Sequence, residues 1–363
     1  MTNRATELLQ LLQAEMAEIS FSGPRFVQAN MAAISVGLAV VLALLLQLDD
    51  PWWAGISAFM CTQASQPQSL QKGALRIVGT LGGAAIGFVF APWFAYDPVA
   101  TMLLLYFAGT FGILGSLLSP HGYAWLLGGI TIIMVTLGAL DEPTQALNVA
   151  FYRAAEIILG TVTALLTALV LAPPASAAGA VAPGWRSLLG RNWHILSHAT
   201  RTGVAVAAVP LVWRQLELPN LTQMAISIGA IMAVPTLTGV SQRDQDAIAL
   251  RTLHRIVGCV LGGGAGVLFL ATPASQIFLP WLLGLMAGNW LSMQLQNGRH
   301  GISVVGVQAS VALILTLVQG AAPATSLLPA IDRVVGMLGA IGLLVLVNLL
   351  LGPPRSAEPA APN

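Results

Sequence analysis

The chain has 363 residues, of which 56% are hydrophobic and only 8% are charged, and its formal net charge is +1. Because soluble domains carry about 25% charged residues, this composition excludes a protein whose whole surface faces water. It predicts an all-α polytopic membrane protein, with the lipid bilayer as its first partner.

The residue types present do not favour nucleotide hydrolysis or metal chemistry. Lys72 is the single lysine, and no glycine-rich loop ends in Lys-Ser or Lys-Thr. The two cysteines, Cys61 and Cys259, lie in apolar runs without the spacing of a metal site or a disulfide framework. We therefore expect a protein that is not an enzyme, holds no cofactor or metal and binds no nucleic acid.

The beginning of the chain predicts an amphipathic helix over residues 5–19. The glutamates of this segment lie away from one apolar helical face, which consists of Leu8, Leu12, Met16 and Ile19. Because an acidic face is poorly attracted to anionic lipid, we expect this helix to dock on the rest of the protein. The segment lacks the basic-then-apolar order of a cleaved signal peptide, so the spans are expected to insert without one.

Twelve apolar segments follow, and each is expected to cross the bilayer, which takes about 20 residues of α-helix. They lie near residues 27–48, 52–67, 74–92, 98–118, 122–140, 151–172, 194–213, 219–239, 253–271, 276–295, 301–319 and 328–352. The interval between Arg255 and Arg299 carries no charge, and its length fits two helices joined by a short turn.

The distribution of basic residues predicts the orientation. Cytoplasmic loops of membrane proteins carry an excess of Lys and Arg. With a cytoplasmic N-terminus, all basic residues fall on the cytoplasmic side except Arg153, Arg214 and Arg333. Because the number of spans is even, both termini are expected in the cytoplasm.

Two glycine rows suggest that the chain contains a repeat. Residues 76–87 read RIVGTLGGAAIG, and residues 255–266 read RIVGCVLGGGAG. The glycines recur at four-residue spacing, as Gly79, Gly83 and Gly87 and as Gly258, Gly262 and Gly266. In lipid, small residues at this spacing let two helices approach closely, so we expect packing surfaces where the two halves meet. The alternative is that the glycines open space beside a substrate path.

Other residues recur at nearly the same offset. His121 recurs as His300, and Arg153 recurs as Arg333. We predict two tandem, parallel six-helix repeats that enclose a path at their interface. The predicted segments are an amphipathic N-terminal helix with its lead-in (1–25), membrane repeat 1 (26–174), a cytoplasmic linker (175–193), membrane repeat 2 (194–354) and a tail (355–363).

Several motifs resemble one known family. The sequence PWWA at residues 51–54 leads to a polar break at 66–67, and RIVGT at 76–80 follows it. In each half an arginine-led final helix ends in proline. Together these motifs resemble the fusaric acid resistance (FUSC) family, over residues 26–174 and 194–354.

The resemblance implies a function in export. The family includes aromatic acid exporters of bacterial inner membranes, so it implies a small organic anion as substrate. It also implies a periplasmic adaptor protein and an outer-membrane channel as partners. Unlike many members, this sequence has only a short linker between its halves, and its second half lacks the Trp-Trp-Ala motif. The sequence leaves the oligomeric state open, a homo-oligomer included.

Five arginines are candidates for the anion pathway. Arg76 and Arg255 head their predicted helices, where they either anchor at lipid phosphates or form a cationic ring at the cytoplasmic mouth. Arg201 lies deeper than anchoring requires and is a candidate third member. Arg153 and Arg333 break the charge bias at matching positions, which indicates either structural ion pairs or binding of the anion on its way out.

Three further residues are candidates for proton coupling. Glu156 stands one turn after an arginine, and it either pairs with that arginine or acts as a competing counter-ion or proton acceptor. His121 and His300 are predicted in cytoplasmic turns, as polar turn residues or as proton-coupling groups. Trp52 and Trp53 are typical of an interfacial aromatic belt, and they could alternatively stack on an aromatic substrate.

The sequence as a whole predicts an exporter of small organic, chiefly aromatic, carboxylates in the bacterial inner membrane. Without a nucleotide site, the proton gradient or the membrane potential is expected to drive it. Two alternatives share the same features: a passive anion channel, and a membrane scaffold or assembly factor that transports nothing.

Overall fold

The structure is a computed structural model that describes residues 2–140, 142–174, 184–185, 193–216, 221–233, 241–320, 326 and 328–351. Most of the predicted linker and the whole predicted tail lie outside these residues. The segment boundaries therefore stay predictions.

The described residues form α-helices and two short 3-10 turns, at Pro143–Gln145 and Pro273–Gln276, and they include no strand. The helices are α1 (Thr2–Ala17), α2 (Gly23–Leu45), α3 (Pro51–Cys61), α4 (Gln66–Phe94), α5 (Pro98–Leu118), α6 (Gly122–Gly138), α7 (Ala146–Leu171), α8 (Trp193–Leu216), α9 (Leu221–Met232), α10 (Ser241–Leu270), α11 (Phe278–Gln296), α12 (Ser303–Leu317) and α13 (Leu328–Leu351). The predicted all-α class is confirmed.

The chain is a multi-pass membrane protein. In the described residues, seven helical segments are long and apolar enough to cross a bilayer, and they correspond to α2, α4, α5, α7, α8, α10 and α13. Helices α6, α9 and α12 are apolar but shorter. The predicted twelve crossings and the cytoplasmic placement of both termini stay predictions.

The uncharged interval after Arg255 does contain two helices, because α10 ends at Leu270 and α11 begins at Phe278. Helix α10, in which this interval begins, and its first-half counterpart α4 both begin earlier than predicted. Helix α4 begins at Gln66 and α10 at Ser241. The predicted starts were placed where the apolar residues begin. The polar turns that precede them are also helical.

This difference corrects the positions of two candidate residues. Arg76 and Arg255 do not head their helices but lie ten and fourteen residues after the first residue of α4 and α10. At a rise of 1.5 Å per residue, they lie roughly 15 and 21 Å along the helix axis. Both side chains are buried. Their place within the helices is corrected, and the cationic ring at the cytoplasmic mouth stays a prediction.

The packing of the helices recurs from one half of the chain to the other. Helix α4 packs on α6 as α10 packs on α12, and α3 packs on α7 as α9 packs on α13. Between the halves, α5 packs on α8, and α11 packs in the same way on α2. These pairings support the predicted tandem repeat.

The glycine rows lie inside each half, so the expectation that they join the two halves was wrong. A Cβ atom at Gly83 would lie 2.8 Å from Thr131 Cβ, and one at Gly266 would lie 2.8 Å from Thr316 Cβ. Every member of each row meets the same neighbour, which is α6 in the first half and α12 in the second. The neighbours are Ala124, Thr131 and Val135 for the first row and Val305, Ala309 and Thr316 for the second.

Two apolar cores hold the halves together. One consists mainly of residues from α5, α6, α8, α9 and α13, including Leu105, Ile133 and Met224. The other consists of residues from α2, α3, α11 and α12, including Phe59 and Leu285. Because each core combines helices of both halves, neither half buries its apolar surface without the other.

Helix α1 docks on the second half, as predicted, but the predicted face is only partly right, because Glu15, which was placed elsewhere, is buried. Leu8 and Leu12 are buried against Ile302 and Val305, whereas Met16 is exposed. Docking of this kind keeps the apolar face of the helix away from water without inserting it into the bilayer.

A buried carboxylate fixes the end of α1. Glu15 accepts hydrogen bonds from the backbone N–H of His300 (3.0 Å) and pairs with its Nδ1 (2.7 Å), and it forms an ion pair with Arg25 at 2.8 Å. Burial by itself would raise the pKa of Glu15, but the hydrogen bonds from His300 and the charge of Arg25 hold it below its ordinary value. His300 is therefore part of a tether for α1.

Candidate functional site

In the first half, the buried Arg76 has neutral hydroxyl partners. Its Nη1 donates to Tyr123 Oη at 2.7 Å, and its Nη2 donates to Ser57 Oγ at 3.0 Å. Tyr123 lies at the beginning of α6 and Ser57 in the middle of α3. The guanidinium group thus cross-links three helices of the first half.

Arg153 of α7 is held by two carboxylates. Its Nη2 lies 2.9 Å from Asp50 Oδ2, and its Nη1 lies 2.9 Å from Glu156 Oε2. Glu156 is fully buried, and its second oxygen accepts the backbone N–H of Asp50 at 2.7 Å. One positive charge is therefore matched by two negative charges, and Glu156 also fixes the beginning of α3.

Arg153 also lies over the tryptophan pair of the PWWA motif. Its guanidinium carbon is 4.9 Å from the ring centre of Trp53 and 5.7 Å from that of Trp52. The two rings are themselves 4.4 Å apart. A cation at this distance from an aromatic face is held by the ring quadrupole. Trp52 and Trp53 therefore belong to the charged cluster.

In the second half, Arg333 of α13 has only neutral partners. It is buried, and it donates to the amide oxygens Gln223 Oε1 and Gln308 Oε1, the latter at 3.2 Å. Gln308 Oε1 also accepts a weak hydrogen bond from the thiol of Cys259 at 3.6 Å. No carboxylate forms an ion pair with Arg333 within the described part of the chain.

Arg255 of α10 is the counterpart of Arg76, but it lacks hydroxyl partners. Only 5% of its surface is exposed, and it makes no hydrogen bond or ion pair with any described residue. The charge of Arg333 is near enough to repel it. The second half therefore contains two buried positive charges for which the described residues provide no negative partner.

A cavity of about 450 Å³ lies between the halves, beside the Arg153 cluster. Arg153, Trp52 and Trp53 line it from the first half, and Gln223 and Asp332 line it from the second. Because Gln223 is a hydrogen-bond partner of Arg333, that guanidinium group lies directly behind the cavity wall. Asp49 and Asp50 also line it, so an arginine, three carboxylates and two indole rings meet in a space of the size that small ligands occupy.

Three other candidate residues lie away from this cavity. Arg201 of α8 donates to Asn348 Oδ1 at 2.9 Å and so links α8 to α13. His121 is exposed in the turn before α6, and His300 is paired with Glu15 at the end of α1. The structure does not bring these residues together with Arg153 or Arg333.

Sequence reasoning missed four members of the site: Asp50, Tyr123, Gln223 and Gln308. A signal existed for Asp50, because an acidic residue immediately before Pro51 is typical of a helix N-terminus. Gln308 could have been found as the one amide in the apolar run of α12. Tyr123 and Gln223 gave no signal that separates them from ordinary polar residues.

Fold and cavity together define a multi-pass membrane protein with a charged, aromatic-lined cavity between its two halves. Residues 26–202 match the Fusaric acid resistance protein family. The predicted resemblance to this family is therefore confirmed.

Curated relatives carry the same indication. The chain is 30% identical over 156 residues to the p-hydroxybenzoic acid efflux pump subunit AaeB of Escherichia coli (strain K12), a match that covers 39% of this chain and 24% of the relative. It is 32% identical over 165 residues to the protein of the same name from Edwardsiella ictaluri (strain 93-146), covering 41% and 25%. The match thus spans about a quarter of the length of these relatives. No solved structure is significantly similar to the chain.

Proposed function

We propose that this protein exports small aromatic carboxylates across the bacterial inner membrane. The observation that carries the proposal is the cavity between the halves, where Arg153 lies over Trp53 and beside Trp52. A guanidinium group suits a carboxylate, and an indole face suits an aromatic ring. The relatives named as p-hydroxybenzoic acid efflux pump subunits support the same substrate class.

The driving force is the proton gradient or the membrane potential. A negative-inside potential favours the exit of an anion by about 2.3 kcal/mol per charge per 100 mV. Glu156 is the candidate proton acceptor, and it shares Arg153 with Asp50. Protonation of Glu156 would release part of the hold on Arg153 and free that guanidinium group for a substrate carboxylate.

Flux measurements in proteoliposomes test this proposal. Purified protein is reconstituted, and labelled 4-hydroxybenzoate, benzoate and an aliphatic acid are followed with and without a pH gradient and with and without a potential. We expect faster flux of the aromatic acids than of the aliphatic acid. The proposal fails if the reconstituted protein moves none of these acids faster than empty liposomes.

The variant Glu156→Gln separates the two driving forces. Loss of gradient-driven flux with retained potential-driven flux would assign the coupling to Glu156. Undiminished, purely voltage-driven flux in this variant would instead favour the passive anion channel. Absence of flux with retained binding to partner proteins would favour the membrane scaffold.

The partners follow from the same proposal. The relatives are named as pump subunits, which supports assembly with other proteins. We propose a periplasmic adaptor protein and an outer-membrane channel as those partners, with the chain itself in the inner membrane. Co-purification from membranes after mild cross-linking tests this assembly and also reports a homo-oligomer if one forms.

A further inference from the structure

We propose that the second half contains a single anion site, in which Arg255 and Arg333 bind the carboxylate of the exported acid. The inference rests on the proposed function and identifies where in the chain the substrate is held. It begins from an imbalance of charge. Arg333 has amide oxygens as its partners, and Arg255 has no partner among the described residues.

Burial makes this imbalance informative. The two side chains are exposed by only 4% and 5%, and the Nε atom of each is buried without an acceptor. An ionised group that is removed from water is unfavourable unless it is paired and hydrogen-bonded. Two such groups that also repel each other form a place where an anion would be stabilised. The planar guanidinium fork matches the two oxygens of a carboxylate.

The two arginines share one cluster of contacts. Gln308 Oε1 accepts from Arg333 Nη2 and from the thiol of Cys259, and Cys259 lies one turn after Arg255 on α10. Gln308 of α12 thus contacts Arg333 and the turn of α10 that follows Arg255. It neutralises neither of them, because its amide has no net charge.

The cluster also has a route to the cavity. Gln223 lines the cavity and accepts from Arg333 at the same time. An incoming carboxylate that displaces the Gln223 side chain would reach the guanidinium group of Arg333. The aromatic part of the same molecule would remain in the cavity, on the side of Trp52 and Trp53. Because Gln223 is neutral, the carboxylate of the ligand can replace it as the partner of Arg333. A carboxylate side chain at this position could not be replaced in this way.

Equilibrium binding of labelled 4-hydroxybenzoate to the detergent-purified full chain tests the site. We expect Arg255→Gln and Arg333→Gln each to weaken binding by about tenfold or more, the loss of one charged hydrogen bond. The exposed Arg214 provides a charge-matched control, because Arg214→Gln should bind as the wild type does. The neutral analogue 4-hydroxybenzyl alcohol should not compete. Equal competition by chloride at the same concentration would overturn the assignment to a carboxylate.

The variant Gln308→Glu keeps the test decisive if the arginine variants fail to fold. It preserves the shape of the side chain but supplies the missing negative charge. We expect a higher thermal unfolding midpoint in the ligand-free protein together with the loss of 4-hydroxybenzoate binding. Wild-type binding by Gln308→Glu overturns the proposal.

Cys259 offers a second readout within the cluster. In a Cys61→Ala background it is the single thiol, and bound 4-hydroxybenzoate should slow its reaction with a neutral maleimide. In the matched Cys259→Ala background, the same acid should leave the reaction of Cys61 unchanged. Equal protection of both thiols would contradict a site confined to the second half.

Flux separates the failure of this inference from the failure of the proposed function. If the wild type transports 4-hydroxybenzoate and all three variants bind it normally, the site is wrong and the function stands. If the wild type binds the acid through Arg255 and Arg333 without transporting it, the site stands and the export function is wrong.

Discussion

The two halves of the chain share their packing but not their electrostatics. In both halves, a glycine row packs on the helix two positions later in the chain, and an arginine lies at the corresponding place on the last helix. In the first half, Arg153 is paired with Asp50 and Glu156, and the buried Arg76 is hydrogen-bonded to two hydroxyl groups. In the second half, Arg333 is hydrogen-bonded only to amides and Arg255 lacks a described partner.

This difference indicates which features of the two halves are constrained alike and which are not. Packing constrains both halves alike, since the glycine rows would meet a neighbouring helix if any side chain were added. Charge pairing is free to diverge. The Arg153 cluster has its counter-ions within the chain, whereas Arg333 and Arg255 have none among the described residues, and in our proposal a bound anion supplies one.

Removal of Glu156 should disrupt the charged cluster around Arg153 in the first half and have the largest effect on stability. We expect Glu156→Ala to destabilise the protein by about 3 kcal/mol, because the Nη1 of Arg153 and the backbone N–H of Asp50 both lose their buried hydrogen-bond acceptor. Thermal unfolding in detergent measures the change. Asp332→Ala is the second-half control, since Asp332 forms no ion pair among the described residues and its loss should change little. Equal effects of the two variants would contradict the difference between the halves.

The glycine rows should sharpen the comparison by responding alike in both halves. Gly79→Ala and Gly262→Ala would each press a Cβ atom on the backbone of the neighbouring helix, and we expect a cost of about 1–3 kcal/mol for each. Gly82→Ala and Gly264→Ala are matched controls, because a Cβ at either position meets open space. They should be neutral or slightly stabilising in the same unfolding assay. Sensitivity in only one half would refute the shared packing.

The tether of α1 gives a smaller, pH-dependent difference between the halves. Glu15 pairs with His300 in the second half, whereas the counterpart His121 is exposed. The pKa of Glu15 is lowered in the folded protein, so its stabilisation is fully present above the unfolded value of about 4.3. It is lost as the pH falls through the lower folded value.

We expect Glu15→Gln to weaken the docking of α1 at neutral pH by about 2 kcal/mol, with roughly thirtyfold faster hydrogen exchange in that helix. Exchange rates corrected for the intrinsic effect of pH measure this change. In the wild type, protection of α1 should fall below about pH 4 while α4 stays protected. Protection that rises on acidification would contradict the assigned role of Glu15.

Composition and spacing predict the class of this fold because lipid imposes strong rules on sequence. The low charge content predicted a membrane protein. The duplicated RIVG segments predicted that α4 and α10 each pack closely against another helix. The helix that each row packs against could not be predicted, because the spacing of the glycines does not identify the neighbouring helix. The rows were therefore placed wrongly at the interface between the halves.

The candidate site could be predicted only in part. Arg153 with Glu156 is a local pair at helical spacing, and the sequence contains that information. The contrast between the halves depends on Asp50, Gln223 and Gln308, which reach the arginines from other helices. Contacts of this kind arise from tertiary packing, so the spacing of residues along the chain does not predict them.

The most direct test of the central claim is the flux of labelled 4-hydroxybenzoate in proteoliposomes containing either the wild type or Gln308→Glu. The substituted carboxylate should pair with Arg333 as Glu156 pairs with Arg153. We predict a flux at least about tenfold lower than that of the wild type, from an equally stable or more stable protein. A Gln308→Glu protein that transports the acid at the wild-type rate would contradict the claim.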